Sequence, residues 1–226
     1  VQPQPETARD VEALAGAAPP AAKRFTPPEW RGQWKPRLLI VTHSHSDFGL
    51  DTLYHGLCGV LGDERVVEWP WKPTLHGSDP ESAEGYPFVF DHAGEPQSLE
   101  GVESELRAGA YDAVVYADLF QDVPPAEARR ISDAAGDIPL FLLDTWDTVE
   151  DNRDFAAFCV GRSADGFRGY FKREMLTCHD YGPNAVPLPF CYAEELAPET
   201  MPEDKPTDFF WAGKRIYGTR RLYLEQ

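Results

Sequence analysis

The sequence has 226 residues, of which 42% are hydrophobic, and its formal net charge is −17. That length and that apolar content are sufficient for one large domain with a buried core and part of a second. The negative charge argues against nucleic acid as the main partner, because binding phosphates requires a basic surface, and against an anionic membrane surface. No apolar run approaches the length of a membrane span.

The cysteines indicate a reducing compartment. None of the four belongs to a C-x-x-C pair; Cys58 lies on the apolar side of a predicted helix, and Cys159 lies in an apolar run. Buried free thiols are the more common role for such residues than disulfides or metal ligands. We therefore expect free cysteines and a cytoplasmic location.

The first 36 residues are rich in Pro, Ala and Gln, which predicts an arm or linker. Three aromatic residues, Phe25, Trp30 and Trp34, are more than a free tail needs. Their burial would offset the entropy lost when the arm becomes ordered. We expect the arm to dock either on the core of its own domain or on a protein partner.

The predicted domain, residues 37–206, begins with the apolar run Leu38–Val41, which is typical of a fully buried strand. A polar loop follows, and apolar residues then recur at helical spacing over 50–61. Ser46 or Asp47 is placed to cap that helix. Three further elements follow in chain order: a strand at 65–70, a long loop at 71–98 and a helix at 98–108.

Two more apolar runs each end in an acid, and both predict buried strands: residues 111–118 and residues 138–144. Between them, residues 124–135 predict a helix with Pro in its first turn and a glycine after its end. The later elements are a strand or short helix at 155–160, a helical turn at 169–176, an extended segment at 186–190 and a strand at 208–213.

Strands and helices that alternate at this spacing predict a Rossmann-like α/β fold, with a mainly parallel sheet flanked by helices. We expect Leu38–Val41, Ala113–Tyr116 and Leu140–Leu143 to be the central strands, because their apolar character is uninterrupted. Residues 207–226 would be the start of a second domain or a docking tail.

Candidate functional residues gather where these strands end. The loop after the first strand contains His43, His45 and Asp47, and two later strands end in Asp118 and Asp144. Ligands of open α/β sheets bind beyond the carboxyl ends of the strands. We therefore expect one cleft that is lined by a loop histidine, by Asp47 and by at least one strand-end acid.

The segment Thr42–Asp47 resembles the first metal motif of the metallo-β-lactamase family, H-x-H-x-D-H. Two imidazoles and a carboxylate on one side of a strand end suit Zn²⁺, so a metal-dependent hydrolase is one alternative function. Phe48 stands where the motif has its final histidine, and phenylalanine has no lone pair to offer a metal. We therefore expect no bound metal.

Signatures of other familiar sites are absent from the sequence. It contains no G-x-G-x-x-G after the first strand, no P-loop and no G-x-S-x-G. We therefore expect no cofactor and no serine hydrolase chemistry.

Several short segments carry a family resemblance: Arg37–Val41 followed by Asp51–Leu57, then Tyr170–Glu174, Pro187–Phe190, and Asp208–Lys214 followed by Arg220 and Arg221. Together they resemble the N-terminal half of a GT-B type glycosyltransferase, of the bacterial kind with a CgeB-like C-terminal half. The resemblance implies two Rossmann-like halves that face a cleft. The N-terminal half would hold the acceptor, and the C-terminal half would hold the nucleotide sugar.

The resemblance also places the catalytic base on a loop of the N-terminal half, where His45 and Asp47 are candidates to take the proton of the acceptor hydroxyl. The partners would be a sugar acceptor and, only with a C-terminal half, a nucleotide sugar. We expect residues 1–226 alone to lack full transfer activity. The candidate substrate-binding residues are His43, Ser44, Gly49, Asp118, Asp144, Trp146, Asp147, Lys172, Arg173, Lys214 and Arg215.

Two alternatives stay open beside the transferase. One is a non-catalytic Rossmann-like module of a larger assembly, docked by its arm and by the basic segment Lys214–Arg221. The other is the metal-dependent hydrolase that would use the His43–Asp47 loop.

Overall fold

The structure is a computed structural model, and it describes residues 35–77, 89–119 and 123–189. Within these ranges the strands are β1 (Leu38–Val41), β2 (Val66–Trp69), β3 (Ala113–Ala117), β4 (Leu140–Asp144), β5 (Phe167–Lys172) and β6 (Ala185–Pro187). They form one six-stranded sheet in the order β2-β1-β3-β4-β5-β6. Every neighbouring pair is parallel, which confirms the Rossmann-like α/β fold predicted from the sequence.

Helices cover both faces of the sheet. The described residues form α1 (Phe48–Leu61), α2 (Leu99–Arg107), α3 (Pro125–Ala135) and α4 (Arg153–Val160). Apolar side chains of α2, α3 and α4 share one core with alternate residues of β1, β3 and β4, and α1 shares a second core with the intervening residues. This division follows from the pleat of a strand, which points successive side chains to opposite faces.

The three predicted central strands are interior strands, as expected. β1 pairs with β2 on one side and with β3 on the other, and β4 lies between β3 and β5. Leu39 and Val41 of β1 are fully buried. The chain leaves β1 toward β2 and returns to β3 on the other side, so a topological switch point lies between β1 and β3. Ligands of doubly wound sheets bind at such a point.

The cap of α1 follows the sequence prediction. The side chain of Asp47 accepts a hydrogen bond of 2.8 Å from the backbone N–H of Leu50 and so caps α1. Ser98 caps α2 in the same way, through the N–H of Gly101 at 3.1 Å. These bonds satisfy helix amides that have no partner within the helix.

The helical turn predicted at residues 169–176 is wrong, because the chain forms β5 there. Gly169 lies so close to β4 that an added Cβ would stand 3.1 Å from the ring of Phe141. Lys172 is fully buried. Close contact with β4 therefore determines the strand conformation of this segment, against the sequence pattern that predicted a helical turn. Residues 155–160 form part of α4, and β6 contains Val186 and Pro187, the first two residues of the segment predicted to be extended at 186–190.

Several predictions fall outside the described residues. They concern the aromatic residues of the arm, the strand at 208–213, and the tail 207–226. In the described part of the chain, no helix is long and apolar enough to cross a bilayer. Cys58 and Cys159 are buried free thiols, as predicted, and Cys178 is free and exposed.

We predict that Leu142→Ala lowers the free energy of unfolding by about 2 to 5 kcal/mol, because it opens a cavity beside a fully buried strand residue. The control is Phe158→Ala on α4, whose side chain is 70% exposed and whose loss should change stability by less than about 0.5 kcal/mol. Chemical denaturation measures both. Equal effects would contradict the assignment of β4 to the core.

Candidate active site

The loop after β1 occupies the switch point. The N–H of Thr42 donates to the carbonyl of Trp69 at 2.9 Å, which ties the start of the loop to the end of β2. His43 is buried beneath the loop, whereas Ser44 and His45 are exposed. The rings of His43 and His45 lie 5.8 Å apart. The buried histidine is therefore the one that faces the strand ends.

Asp118 follows β3 directly and is completely buried. Its backbone has a φ of 45°, a left-handed conformation that is uncommon outside glycine and is often found at functional positions. One carboxylate oxygen accepts the backbone N–H of Thr145 at 2.8 Å, and the other accepts the Thr145 hydroxyl in a short hydrogen bond. Asp118 is therefore held in place from the end of the neighbouring strand, β4.

Thr145 also connects Asp118 to the loop after β1. Its hydroxyl oxygen lies 3.4 Å from a carboxylate oxygen of Asp47. Asp47, Thr145 and Asp118 thus form a chain of polar groups that runs from a partly buried acid to a fully buried one. Gly49 permits this approach, because an added Cβ there would stand 3.1 Å from the Thr145 side chain.

The environment of Asp118 raises the pKa of its carboxyl to about 7. Burial is the largest cause, because it disfavours the charged form. The hydrogen bonds from Thr145 oppose this rise, and the negative charges of Asp47 and Asp144 add to it. A carboxyl with this pKa can accept or release a proton near neutral pH.

His43, Asp47 and Asp118 together can offer metal ligands, since one donor atom from each lies within 4.8 Å of the others. The set contains one imidazole and two carboxylates, a combination that divalent cations such as Zn²⁺ or Mn²⁺ accept. This set of ligands differs from the motif of the sequence, because it contains Asp118 instead of His45. That the His43–Asp47 loop binds no metal stays a prediction.

Asp144 has a different environment from Asp118. Its carboxylate accepts hydrogen bonds from the ammonium of Lys172 at 2.9 Å, the hydroxyl of Tyr170 at 2.7 Å and the amide of Asn152 at 3.0 Å. Asp144 and Lys172 are both fully buried. This geometry suits both side chains to holding the ends of β4 and β5 together, and their contact with substrate stays a prediction.

Trp146 and Asp147, two of the remaining predicted residues, have exposed side chains. Trp146 is 39% exposed and, with Phe155 and Asn152, lines an open groove of about 350 Å³. Arg173, mostly buried, forms an ion pair with the exposed Asp147. Lys214 and Arg215 lie outside the described residues.

The sequence did not reveal three residues at this site. Thr145 follows the predicted strand-end acid but has no pattern that marks it. Asp51 and Lys72 form a fully buried ion pair of 2.5 Å, and Asp51 also accepts the N–H of Asp47 at 3.3 Å. The only sequence signal was the position of Asp51, four residues after the helix cap. Its partner, Lys72, lies in what the sequence predicted to be a loop.

Comparison with known proteins yields no relatives: no family model, curated protein or solved structure matches this chain.

We predict that the pKa of Asp118 makes stability depend on pH. Because folding raises this pKa above its ordinary 3.8, its contribution is fully present below pH 3.8 and is lost as the pH rises through about 7. A tenfold change in the acid dissociation constant on folding corresponds to about 1.4 kcal/mol. The free energy of unfolding of the wild type, relative to Asp118→Asn, should fall over this window.

The matched control is Asp133→Asn, at an exposed acid on α3. It should leave the pH dependence of unfolding unchanged. A wild-type profile parallel to that of Asp118→Asn would show that Asp118 titrates normally.

Proposed function

We propose that this domain is the acceptor-side half of a GT-B type glycosyltransferase. It would bind an acceptor through a hydroxyl-bearing group and remove the hydroxyl proton while a sugar is transferred from a nucleotide sugar. The observation that carries this proposal is the series of hydrogen-bonded side chains Asp47, Thr145 and Asp118 at the switch point of the sheet. The family resemblance of the sequence points to the same class of reaction.

Asp47 is the catalytic base in this proposal, because it is the only one of the three hydrogen-bonded side chains that is partly exposed. Its carboxylate takes the proton of the acceptor hydroxyl as the oxygen attacks the anomeric carbon of the sugar. The bond between that carbon and the leaving nucleoside diphosphate breaks. His45, the other predicted base, is exposed on the outer side of the loop and is less well placed.

Asp118 receives the proton that the reaction produces. The proton held by Asp47 passes to the Thr145 oxygen, and the Thr145 hydroxyl proton passes to Asp118, so no charge is left on Thr145. A carboxylate whose pKa is about 7 accepts this proton without a large cost near neutral pH. Asp118 acts through Thr145 and Asp47 and does not touch the substrate.

The groove beside Trp146 suits an acceptor. Trp146 follows Thr145 directly in the chain, and Phe155 provides a second exposed aromatic ring on the same groove. Aromatic faces bury the apolar face of a sugar or another ring, while Thr148, Glu150 and Asn152 supply polar groups at the edge. The donor would require a C-terminal half, because the acidic surface of this chain repels a nucleoside diphosphate.

We predict that Thr145→Val lowers the kcat of acceptor-dependent nucleoside diphosphate release by about 100-fold, because it removes the proton path while keeping the shape of the side chain. In the wild type, kcat should rise as the pH increases through about 7, since Asp118 must be ionised to accept the proton. That inflection should disappear in Thr145→Val.

Thr145→Ser is the matched control, because it keeps the hydroxyl and should keep the inflection. The assay uses a panel of nucleotide sugars and hydroxyl-bearing acceptors, with the chain joined to a donor-binding half. Wild-type kcat and pH dependence in Thr145→Val would refute the proton path, and turnover by no donor in the panel would count against the transferase.

We further predict that Trp146→Ala weakens acceptor binding by about tenfold, which corresponds to about 1.4 kcal/mol of lost aromatic contact. The control, Phe158→Ala, removes an exposed ring of α4 that does not line the groove and should leave acceptor affinity unchanged. Calorimetric titration of each variant with the acceptor measures the effect. Equal affinities in the two variants would place the acceptor elsewhere.

A metal-dependent hydrolase is the second candidate, favoured by the distances among His43, Asp47 and Asp118. In that case Asp47 and Asp118 would be metal ligands, and the proton path through Thr145 would not operate. The two candidates differ in their response to a chelator. Activity that a chelator abolishes and that His43→Ala also removes would favour the hydrolase, whereas chelator-resistant transfer would favour the glycosyltransferase.

A further inference from the structure

A second group of reactive side chains lies on the other half of α1, away from its capped first turn. His55 and Cys58 are three residues apart and therefore lie on the same face of the helix. Gly62 ends the helix with a φ of 103°, and this turn brings Asp63 back toward Cys58. His92, in the segment that precedes α2, lies next to Asp63.

The geometry of this group suits a metal. One ligand atom from each of Cys58, Asp63 and His92 lies within 4.8 Å of the others. His92 Nδ1 lies 3.0 Å from Oδ1 of Asp63, and the other ring nitrogen, Nε2, lies 2.9 Å from Nδ1 of His55. Cys58 is buried, so its sulfur is shielded from bulk solvent.

We propose that Cys58, Asp63 and His92 bind a zinc ion, which fixes the segment before α2 to the end of α1. A thiolate, an imidazole and a carboxylate are the three kinds of ligand that zinc takes from proteins. Their combination disfavours magnesium and calcium, which prefer oxygen ligands. A water molecule would complete the tetrahedral set.

The surroundings orient two of the three ligands before the metal arrives. When Nδ1 of His92 binds the metal, Nε2–H can donate to His55, and metal-binding histidines usually make such a second hydrogen bond. Oδ2 of Asp63 accepts the N–H of Ala93 at 2.9 Å, which leaves Oδ1 for the metal. The backbone N–H of His92 donates to the carbonyl of Leu75 at 3.0 Å.

This site differs from the His43, Asp47 and Asp118 group in both position and chemistry. The sequence prediction of no metal rested on Phe48, which breaks the motif of the histidine loop, and for Cys58 the sequence favoured a free thiol over a metal ligand. Cys58 and His92 are 34 residues apart, so no short motif joins them. The zinc would connect α1 to the segment before α2, and the site is independent of the transferase proposal.

The test measures metal binding by the full chain. After treatment with a chelator, the protein is titrated with Zn²⁺ and with Co²⁺, whose absorption spectrum reports a thiolate ligand through a charge-transfer band. We expect one zinc per chain that raises the melting temperature, and a cobalt complex with that band. His55→Ala should weaken binding by about 10 to 100-fold, because it removes the bond that orients His92.

Cys58→Ala should abolish both the band and tight zinc binding, and Cys159→Ala is the matched control, since it removes another buried thiol from α4. His43→Ala should leave both intact. If Cys58→Ala does not fold, the wild-type cobalt spectrum decides alone. A spectrum without the thiolate band, or zinc that is lost in His43→Ala and kept in Cys58→Ala, would overturn the proposal.

Discussion

Burial of carboxylates at the carboxyl ends of the strands is the constraint on which the candidate active site depends. An ionised carboxylate in a protein interior is costly unless a cation or several hydrogen bonds compensate it. Lys172 compensates Asp144, and Lys72 compensates Asp51. Asp118 instead receives two neutral donors from Thr145. Burial raises the pKa of the Asp118 carboxyl to about 7, and the bonds from Thr145 only partly oppose this rise, so a proton can reside there near neutral pH.

Features encoded by neighbouring residues could be predicted from the sequence. Uninterrupted apolar runs identified β1, β3 and β4 as central strands, because only a strand covered on both faces tolerates such a run. The position of Asp47 before an apolar helical pattern identified the cap of α1. Parallel pairing then brought Asp47 and Asp118 to one edge, as the strand-end rule predicted.

Features created by contacts between distant residues could not be predicted. Thr145 and Asp47 are 98 residues apart, and nothing in either segment indicates the other. The strand β5 replaces the predicted helical turn, and its glycine and lysine, which are uncommon in strands, are both explained by contacts with β4. Pairing of this kind requires the three-dimensional structure.

The position of β1 in the sheet has a consequence for how the protein forms. Arg37, beside β1, donates a hydrogen bond to Asp112, beside β3, which lies 75 residues later in the chain. The edge of β1 that faces β3 therefore has no native partner until β3 has been synthesised. Such non-local pairing slows folding and leaves an apolar strand edge exposed to other chains. A nascent chain that has not yet reached β3 therefore exposes this apolar edge of β1.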